Sequence, residues 1–136
     1  NFEGKGLKFW DVSSVTDMTR MFDGCDVFNE PIGLWDTSSV TKMFAMFRNA
    51  GEFNADISKW NVENVEDTGM RFMFENATKF KADIGATWSG DAATTQEKGI
   101  FLGADAFNEL YECETPTNGP VSSCEKVRPP SPWRCD

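Results

Sequence analysis

Carboxylate side chains occur in this chain in pairs whose spacing suits acid–base chemistry or calcium binding. The pairs are Asp23 with Asp26, Asp11 with Asp17, and Asp56 with Asp83. Catalysis by two carboxylates requires a pocket whose two environments separate their pKa values, and a calcium loop requires oxygen ligands at denser spacing. We expect these pairs on an open, repetitive surface, so the sequence predicts neither a catalytic residue nor a metal site.

Composition narrows the classes of function further. The 136 residues include no histidine, which removes the commonest general base and the triads that need an imidazole. We therefore expect no enzyme and no cofactor. The net charge is −9, and the 13 lysines and arginines do not cluster, so neither nucleic acid nor an anionic membrane surface is an expected partner. No run is long enough to insert directly into a membrane.

Three cysteines, Cys113, Cys124 and Cys135, follow one another at spacings of 11 residues, and Cys25 stands far from them. Zinc ligands usually come in pairs about two to four residues apart, so this spacing does not fit a zinc site. A short tail with little core of its own is typically held by disulfides, and we predict that at least two of the three are oxidised. The third would pair with Cys25 or with another chain. Otherwise Cys25 is a small buried apolar residue.

Asn76-Ala77-Thr78 is the only Asn-x-Ser/Thr triplet in the chain. Such a triplet predicts glycosylation of Asn76 if a eukaryotic cell secretes the protein. The alternative is that Asn76 is a polar turn residue without a modification.

A repeat of 25 residues must position all of these side chains. Trp10–Leu34 is matched in register by Trp35–Lys59, then by Trp60–Thr87 with three extra residues, and Trp88 opens a weaker fourth copy. Large apolar residues recur at equivalent places, and repeats of this length bury them only by packing on neighbouring copies. The predicted core of the second copy, with its equivalents in the first, is Trp35, Val40, Met43, Phe47, Ala50, Phe53 and Ile57.

Local patterns within each copy predict its secondary structure. The run Ser14–Met18 contains β-branched residues in partial alternation and favours a short strand. The segment Met21–Cys25 favours a single helical or 3-10 turn. Strands of successive copies would pair in parallel, about 4.8 Å apart. The predicted fold class is a repeat solenoid of three to four repeats with short parallel β-strands and short helical turns, followed by a Pro/Cys-rich tail; stacked helical repeats are the alternative.

The composition changes at Tyr111, where the repeat pattern ends and prolines become frequent. We therefore predict a solenoid over residues 1–110 and a Pro/Cys-rich tail, cap or linker over residues 111–136. The tail either caps its own stack of repeats or contacts a neighbouring subunit.

One long motif connects the repeats to a family. Phe-Asn-x-x-Ile-x-x-Trp-Asp/Asn-Val/Thr-Ser-Ser-Val-Thr-x-Met-x-x-Met-Phe-x-x-Ala is carried by residues 28–50 and, with departures, by residues 53–77. It resembles the repeat of BspA-type leucine-rich-repeat surface proteins, a repeat of the Mycoplasma-lipoprotein type. The resemblance covers about residues 1–110. It implies an open, right-handed leucine-rich-repeat solenoid, a secreted or cell-surface location, a role in adhesion or assembly, and no catalytic activity.

The outward positions of the predicted strands form a candidate binding face. Its residues are Thr16, Asp17, Thr41, Lys42, Glu66 and Asp67. We expect a non-enzymatic extracellular structural or adhesive module that assembles head-to-tail into a filament, since a stack of repeats exposes an end that another subunit can cover. The alternative is an extracellular receptor domain that binds a glycan or a protein. The expected partners are a second copy, another surface protein or a glycan.

Overall fold

Regular secondary structure is sparse and lies mostly late in the chain. The computed structural model describes residues 2–127. Helix α1 spans Asp91–Thr94, helix α2 spans Asp105–Leu110, and 3-10 helices span Leu7–Phe9 and Val121–Ser123. Strand β1 (Tyr111–Glu112) pairs antiparallel with strand β2 (Glu125–Lys126). Turns and bends therefore form most of the three regular sequence copies.

Two kinds of backbone hydrogen bond fix each copy. In the first copy, three alternate amides donate to carbonyls three residues earlier at 3.0–3.2 Å. The amides that alternate with them donate instead to carbonyls of the second copy, at 2.8–2.9 Å. These bonds run from Met18 to Lys42, Arg20 to Phe44, Phe22 to Met46, and Gly24 to Arg48. The second copy donates to the third in the same way, for example from Phe47 to Met73 at 2.9 Å. Neighbouring copies are thus held in contact in chain order.

This alternation places left-handed backbone at two equivalent positions in each copy. The first position is Arg20, Ala45 and Phe72, with φ of 57°, 51° and 57°; the second is Gly24, Asn49 and Asn76, with φ of 77°, 60° and 57°. Glycine and asparagine adopt this conformation readily, whereas other residues lose about 1 kcal/mol or more. The second position therefore carries the residue types that its backbone requires, and the first does not.

The predicted fold class is wrong: the chain is not a leucine-rich-repeat solenoid with parallel strands. The only sheet among the described residues is the antiparallel β1–β2 pair, and the one parallel contact is an isolated bridge between Asp17 and Lys42. The run Ser14–Met18 does not extend, because a turn closes Val12–Val15 through an amide-to-carbonyl bond of 2.9 Å and left-handed Arg20 follows. β-branched residues in this run favoured a strand, but the turns on either side prevent one.

The predicted core is confirmed in the second copy, where all seven residues are buried. Phenylalanine rings of successive copies stack in two columns. The first column is Phe22, Phe47, Phe74 and Phe101, with centroids 5.6, 5.7 and 5.9 Å apart. The second is Phe28, Phe53, Phe80 and Phe107, at 5.8, 5.9 and 5.9 Å. The equivalence is incomplete in the first copy, where the Trp10 side chain is 60 % exposed and Val15 and Cys25 are half-buried.

Each later tryptophan donates a hydrogen bond to the carbonyl that lies three residues before the preceding tryptophan. The indole Nε1 of Trp35 donates to the Leu7 carbonyl at 2.9 Å, that of Trp60 to Ile32 at 3.0 Å, and that of Trp88 to Ile57 at 3.1 Å. A buried indole N–H needs such an acceptor, because an unpaired donor in the core would cost free energy.

Residues 111–127 fold back onto the fourth copy. The amides of Glu97 and Phe101 donate to the carbonyls of Asn118 and Thr117, each at 2.9 Å, and the Gly99 amide donates to Asn118 Oδ1 at 2.8 Å. In earlier copies the equivalent amides reach the next copy. The segment 117–118 therefore takes the place of a further copy at this end of the stack.

Glu97 is a buried acid at the position where the other copies carry a methionine. Its Oε1 accepts the amide of Thr68 at 2.9 Å, and its carboxylate also takes the Met70 amide. Oε2 has no hydrogen-bond partner within the described part of the chain. Burial raises the pKa of Glu97 to about 7; nearby Asp67 acts in the same direction, while the two amides and Arg71 act against it.

The stacked column predicts a large effect of Phe47→Ala. The substitution leaves a cavity between two rings, so the free energy of unfolding should fall by about 3–5 kcal/mol in urea titrations. Leu34→Ala removes a side chain that is 92 % exposed and should change it by less than about 0.5 kcal/mol. Equal effects of the two substitutions would contradict the stacked core.

The raised pKa of Glu97 predicts a pH-dependent contribution to stability. The folded value of about 7 lies above the unfolded value of 4.5, so the folded state holds the proton more tightly and the contribution falls as pH rises from 4.5 to 7. Glu97→Gln should therefore gain stability relative to the parent protein as pH rises through that window, and the gain should reach on the order of 3 kcal/mol at pH values above 7. Glu97→Met removes the acceptor and should be destabilised at every pH. Parallel pH curves for the parent and Glu97→Gln would rule out the raised pKa.

Candidate functional site

The predicted binding face is brought together by the backbone. The Thr41 amide donates to the Thr16 carbonyl at 2.7 Å, and the Glu66 amide donates to the Thr41 carbonyl at 2.9 Å. The Thr41 hydroxyl also donates to the Thr16 carbonyl at 3.1 Å and is half-buried. One residue from each of three copies therefore lies in a row.

Two of the three carboxylates of this face, those of Asp17 and Asp67, accept hydrogen bonds from within the chain. Asp17 accepts the Thr19 amide at 2.8 Å, and hydrogen bonds from Thr19 lower the pKa of the Asp17 carboxyl, with a smaller contribution from Lys42. The Asp67 carboxylate accepts the Thr95 hydroxyl at 3.0 Å. The face is an open surface, and its six residues do not line the groove described next.

A groove of about 730 Å³ opens on a different set of positions, and we name it the Phe9–Leu34 groove. It is lined by Lys8, Phe9, Asn29, Pro31, Gly33, Leu34, Ala55, Asp56 and Lys59. Residues from the segment before Trp10 and from the first and second copies thus contribute to one concave surface. A Cβ at Gly33 would collide with the Asp56 carbonyl oxygen, so glycine allows two copies to approach closely there.

Two apolar side chains of this groove are almost completely in water. Phe9 is 81 % exposed and Leu34 is 92 % exposed. Five of the six large apolar side chains that are exposed within residues 2–127 fall at or before Leu34: Phe2, Phe9, Trp10, Val27 and Leu34. Of these five, Phe9 and Leu34 line the same groove, and exposed apolar side chains that share a concave surface mark a candidate contact surface for another molecule.

The groove also carries charge. Lys8 places its Nζ 5.1 Å from the centre of the Phe9 ring. Asp56 accepts the Ser58 amide at 3.0 Å, and hydrogen bonds from Ser58 lower the pKa of the Asp56 carboxyl. The charged side chains of the lining are therefore two cations, Lys8 and Lys59, and the carboxylate of Asp56. Their net charge is positive, whereas the net charge of the whole chain is −9.

The carboxylate pairs of the sequence do not form one centre. Asp23 accepts two hydrogen bonds from the Arg48 guanidinium, one of them at 3.1 Å. Asp11 accepts the amide and hydroxyl of Ser13 at 3.0 and 2.6 Å. No group of three or more potential metal-ligating side chains occurs within residues 2–127.

The cysteines separate into two environments. Cys113 and Cys124 form a disulfide. Cys25 is half-buried and is not bonded to another described cysteine; burial first, and then Asp23 and Asp26, raise the pKa of its thiol. Cys135 lies outside the described residues.

Asn76 is exposed, and its side-chain amide is engaged in the stack. Nδ2 donates to Asn49 Oδ1 at 3.0 Å. On its other side, a Cβ at Gly103 would collide with Asn76 Oδ1. The left-handed φ of Asn76 accounts for an asparagine at this position without a modification. Glycosylation of Asn76 stays a prediction.

Comparison with known proteins gives one match. The family described as Mycoplasma protein of unknown function, DUF285, matches residues 1–113. The chain belongs to the DUF285 family. No curated protein and no solved structure matches it. The DUF285 match ends close to residue 110, where the sequence predicts the start of the tail.

Sequence analysis of this DUF285 chain missed the Phe9–Leu34 groove and Glu97. Both could have been found by comparing the residue types at equivalent positions of the copies. Phe9 and Leu34 directly precede Trp10 and Trp35, at a position where the second copy ends in Lys59, and such variation indicates a surface position. Glu97 replaces a recurring methionine. Within residues 2–127, no helix of the DUF285 chain is both long and apolar enough to cross a membrane.

The disulfide gives a direct prediction for thiol labelling. Cys113 and Cys124 should resist alkylation in the native DUF285 chain until a reductant is added, and Cys25 should react slowly, because its raised pKa lowers the thiolate fraction. Mass spectrometry of alkylated peptides measures both. Cys113→Ser with Cys124→Ser should lower the free energy of unfolding by about 2–3 kcal/mol. Rapid labelling of Cys113 or Cys124 without reductant would contradict the disulfide.

Proposed function

We propose that this protein is a non-enzymatic adhesive module that acts outside the cell, either on the cell surface or in secreted form. The observation that carries the proposal is the Phe9–Leu34 groove, with two apolar side chains almost completely in water on a concave surface. A partner that covers them removes apolar surface from water, which supplies a favourable free energy of binding.

Two observations support the location. The Cys113–Cys124 disulfide suits an oxidising compartment, because cytosolic thiols are kept reduced. The repeats resemble those of BspA-type surface proteins in the motif that residues 28–50 carry. Membership of DUF285 agrees with this resemblance but names no function.

The groove favours a protein partner of particular chemistry. Phe9 and Leu34 suit an apolar side chain, and Lys8 and Lys59 suit carboxylates beside it. An apolar anchor surrounded by charge pairs is the common arrangement of a protein–protein contact. We therefore propose that the partner presents an apolar residue between acidic ones.

Assembly into a head-to-tail filament is the less favoured form of the proposal. A filament would need free amides on the last copy, and those of Glu97 and Phe101 already donate to Asn118 and Thr117. We expect a protein that remains monomeric in light scattering at increasing concentration. Growth of the particle with concentration would favour the filament.

A receptor domain that binds a small ligand is the second candidate. The groove volume of about 730 Å³ lies within the range of about 300–1,000 Å³ that small-molecule sites occupy. The two candidates differ in what covers Phe9 and Leu34. An adhesive module binds a protein surface, whereas a receptor binds a soluble ligand with one-to-one stoichiometry.

The adhesive function predicts that groove variants lose binding. The purified protein should bind at least one member of a panel of extracellular-matrix and cell-surface proteins in interferometry. Phe9→Ser with Leu34→Ser should weaken that binding at least about tenfold, since it removes both apolar anchors. Leu102→Ser is the matched control, because Leu102 is also exposed but lies outside the groove. Unchanged binding by the groove variant would rule out the groove as the contact surface, and binding of a small glycan alone would favour the receptor.

A further inference from the structure

A second surface combines cationic and aromatic side chains across all four copies. We name it the Arg20–Lys98 strip; it consists of Arg20, Phe44, Arg71, Phe72 and Lys98. The Arg20 guanidinium lies 5.6 Å from the centre of the Phe44 ring, and the Phe44 and Phe72 rings meet edge to face at 5.8 Å. The three cations are exposed and the two rings are half-buried. No residue of the strip belongs to the Phe9–Leu34 groove.

Backbone hydrogen bonds fix the order of the strip. The Arg20 amide donates to the Phe44 carbonyl at 2.8 Å, and the Phe72 amide donates to the Lys98 carbonyl at 3.0 Å. The Phe72 ring rests on Gly99, where a Cβ would lie 2.5 Å from a ring carbon. The aromatic rings are therefore supported by the stack instead of moving freely in solvent.

The backbone at two strip residues is unfavourable for their side chains. Arg20 and Phe72 have φ of 57°, in the left-handed region, while the equivalent residue of the fourth copy is Gly99. Glycine adopts this conformation without the steric conflict that a bulky side chain causes. A bulky aromatic or guanidinium group held in such a conformation points to a use for the side chain itself.

The cations of the strip are available for a ligand. Ion pairs within 4.0 Å among residues 2–127 involve Lys5, Arg48 and Lys79, and none involves a strip residue. Arg71 acts on Glu97, which is buried and binds the Thr68 amide. Asp67, whose charge also acts on Glu97, accepts the Thr95 hydroxyl. Exposed cations without a carboxylate partner complement an anionic ligand.

We propose that the Arg20–Lys98 strip binds an extended acidic polysaccharide that carries carboxylate or sulfate groups. Arg20, Arg71 and Lys98 pair with the anionic groups, and the Phe44 and Phe72 rings pack against the apolar faces of the sugar rings. Arg20, Phe44, Phe72 and Lys98 are linked from copy to copy by backbone hydrogen bonds, so the strip presents its cations and rings in a row that suits an extended polymer.

Titration with defined oligosaccharides tests this inference. A heparin octasaccharide or a hyaluronan octasaccharide should bind, a neutral dextran of equal length should not, and binding should weaken as salt increases, because the charges are exposed. Arg20→Gln with Arg71→Gln and Lys98→Gln should weaken binding at least about tenfold. The control, Lys79→Gln with Lys81→Gln and Lys126→Gln, changes the net charge equally at exposed lysines outside the strip and the groove, and should alter binding less than about twofold.

Further variants keep the test independent of folding. Phe44→Leu keeps every charge and should weaken binding of the same octasaccharide, which a purely electrostatic attraction would not show. If the triple variant fails to give a cooperative thermal transition, the double variant Arg71→Gln with Lys98→Gln, which keeps Arg20, replaces it in the titration. The inference is overturned if neither acidic octasaccharide binds or if the strip and control variants weaken binding equally. It is also overturned if single-stranded DNA of matched charge binds as tightly as the sugar.

Discussion

Every other feature of this protein depends on backbone amides that donate hydrogen bonds to carbonyls of the next copy. Met18, Phe22 and Gly24 of the first copy donate outward, while the amides between them close short turns within it. A sheet would achieve the same pairing with extended backbone. Here the chain remains bent, and left-handed residues at equivalent positions turn alternate amides outward. Because these alternate amides all donate toward the following copy, the last copy offers the same set of amides, and residues 117–118 accept from them. The position of the tail is therefore a consequence of the same hydrogen-bond pattern.

The sequence predicted burial better than backbone conformation, for a physical reason. Phe47 and Phe53 recur because each must contact its equivalents in neighbouring copies, and that requirement is visible in any stack of copies regardless of local geometry. The sequence reveals left-handed backbone only where a residue type that favours it is present, as at Asn49. Arg20 and Ala45 carry no such signal, because neither type favours positive φ. The β-branched run before Arg20 therefore favoured a strand that the turns do not permit.

Surface sites were predictable only in part, since the predicted face depended on the alternation of strands that do not exist. Thr16 and Thr41 nevertheless lie together, because equivalent positions of adjacent copies are always neighbours here. The groove was missed because Phe9 and Leu34 were assigned neither to the predicted core nor to the predicted face, although the second copy has Lys59 at their position. Variation between copies separates surface positions from core positions, and it applies equally to Glu97 among the methionines.

The same geometry explains how two surfaces of different chemistry, each a proposed binding surface, can exist on one small chain. A core ring such as Phe47 contacts rings in both neighbouring copies, so a change there affects three copies at once. A surface residue such as Leu34 or Lys98 adds a side chain without altering the bonds between copies. Substitutions at separated surface positions combine additively in their free energies, because they share no contact partners. Each outward column can therefore acquire its own chemistry, apolar with lysine around the Phe9–Leu34 groove and cationic with aromatic along the Arg20–Lys98 strip, while the phenylalanine columns beneath remain the same.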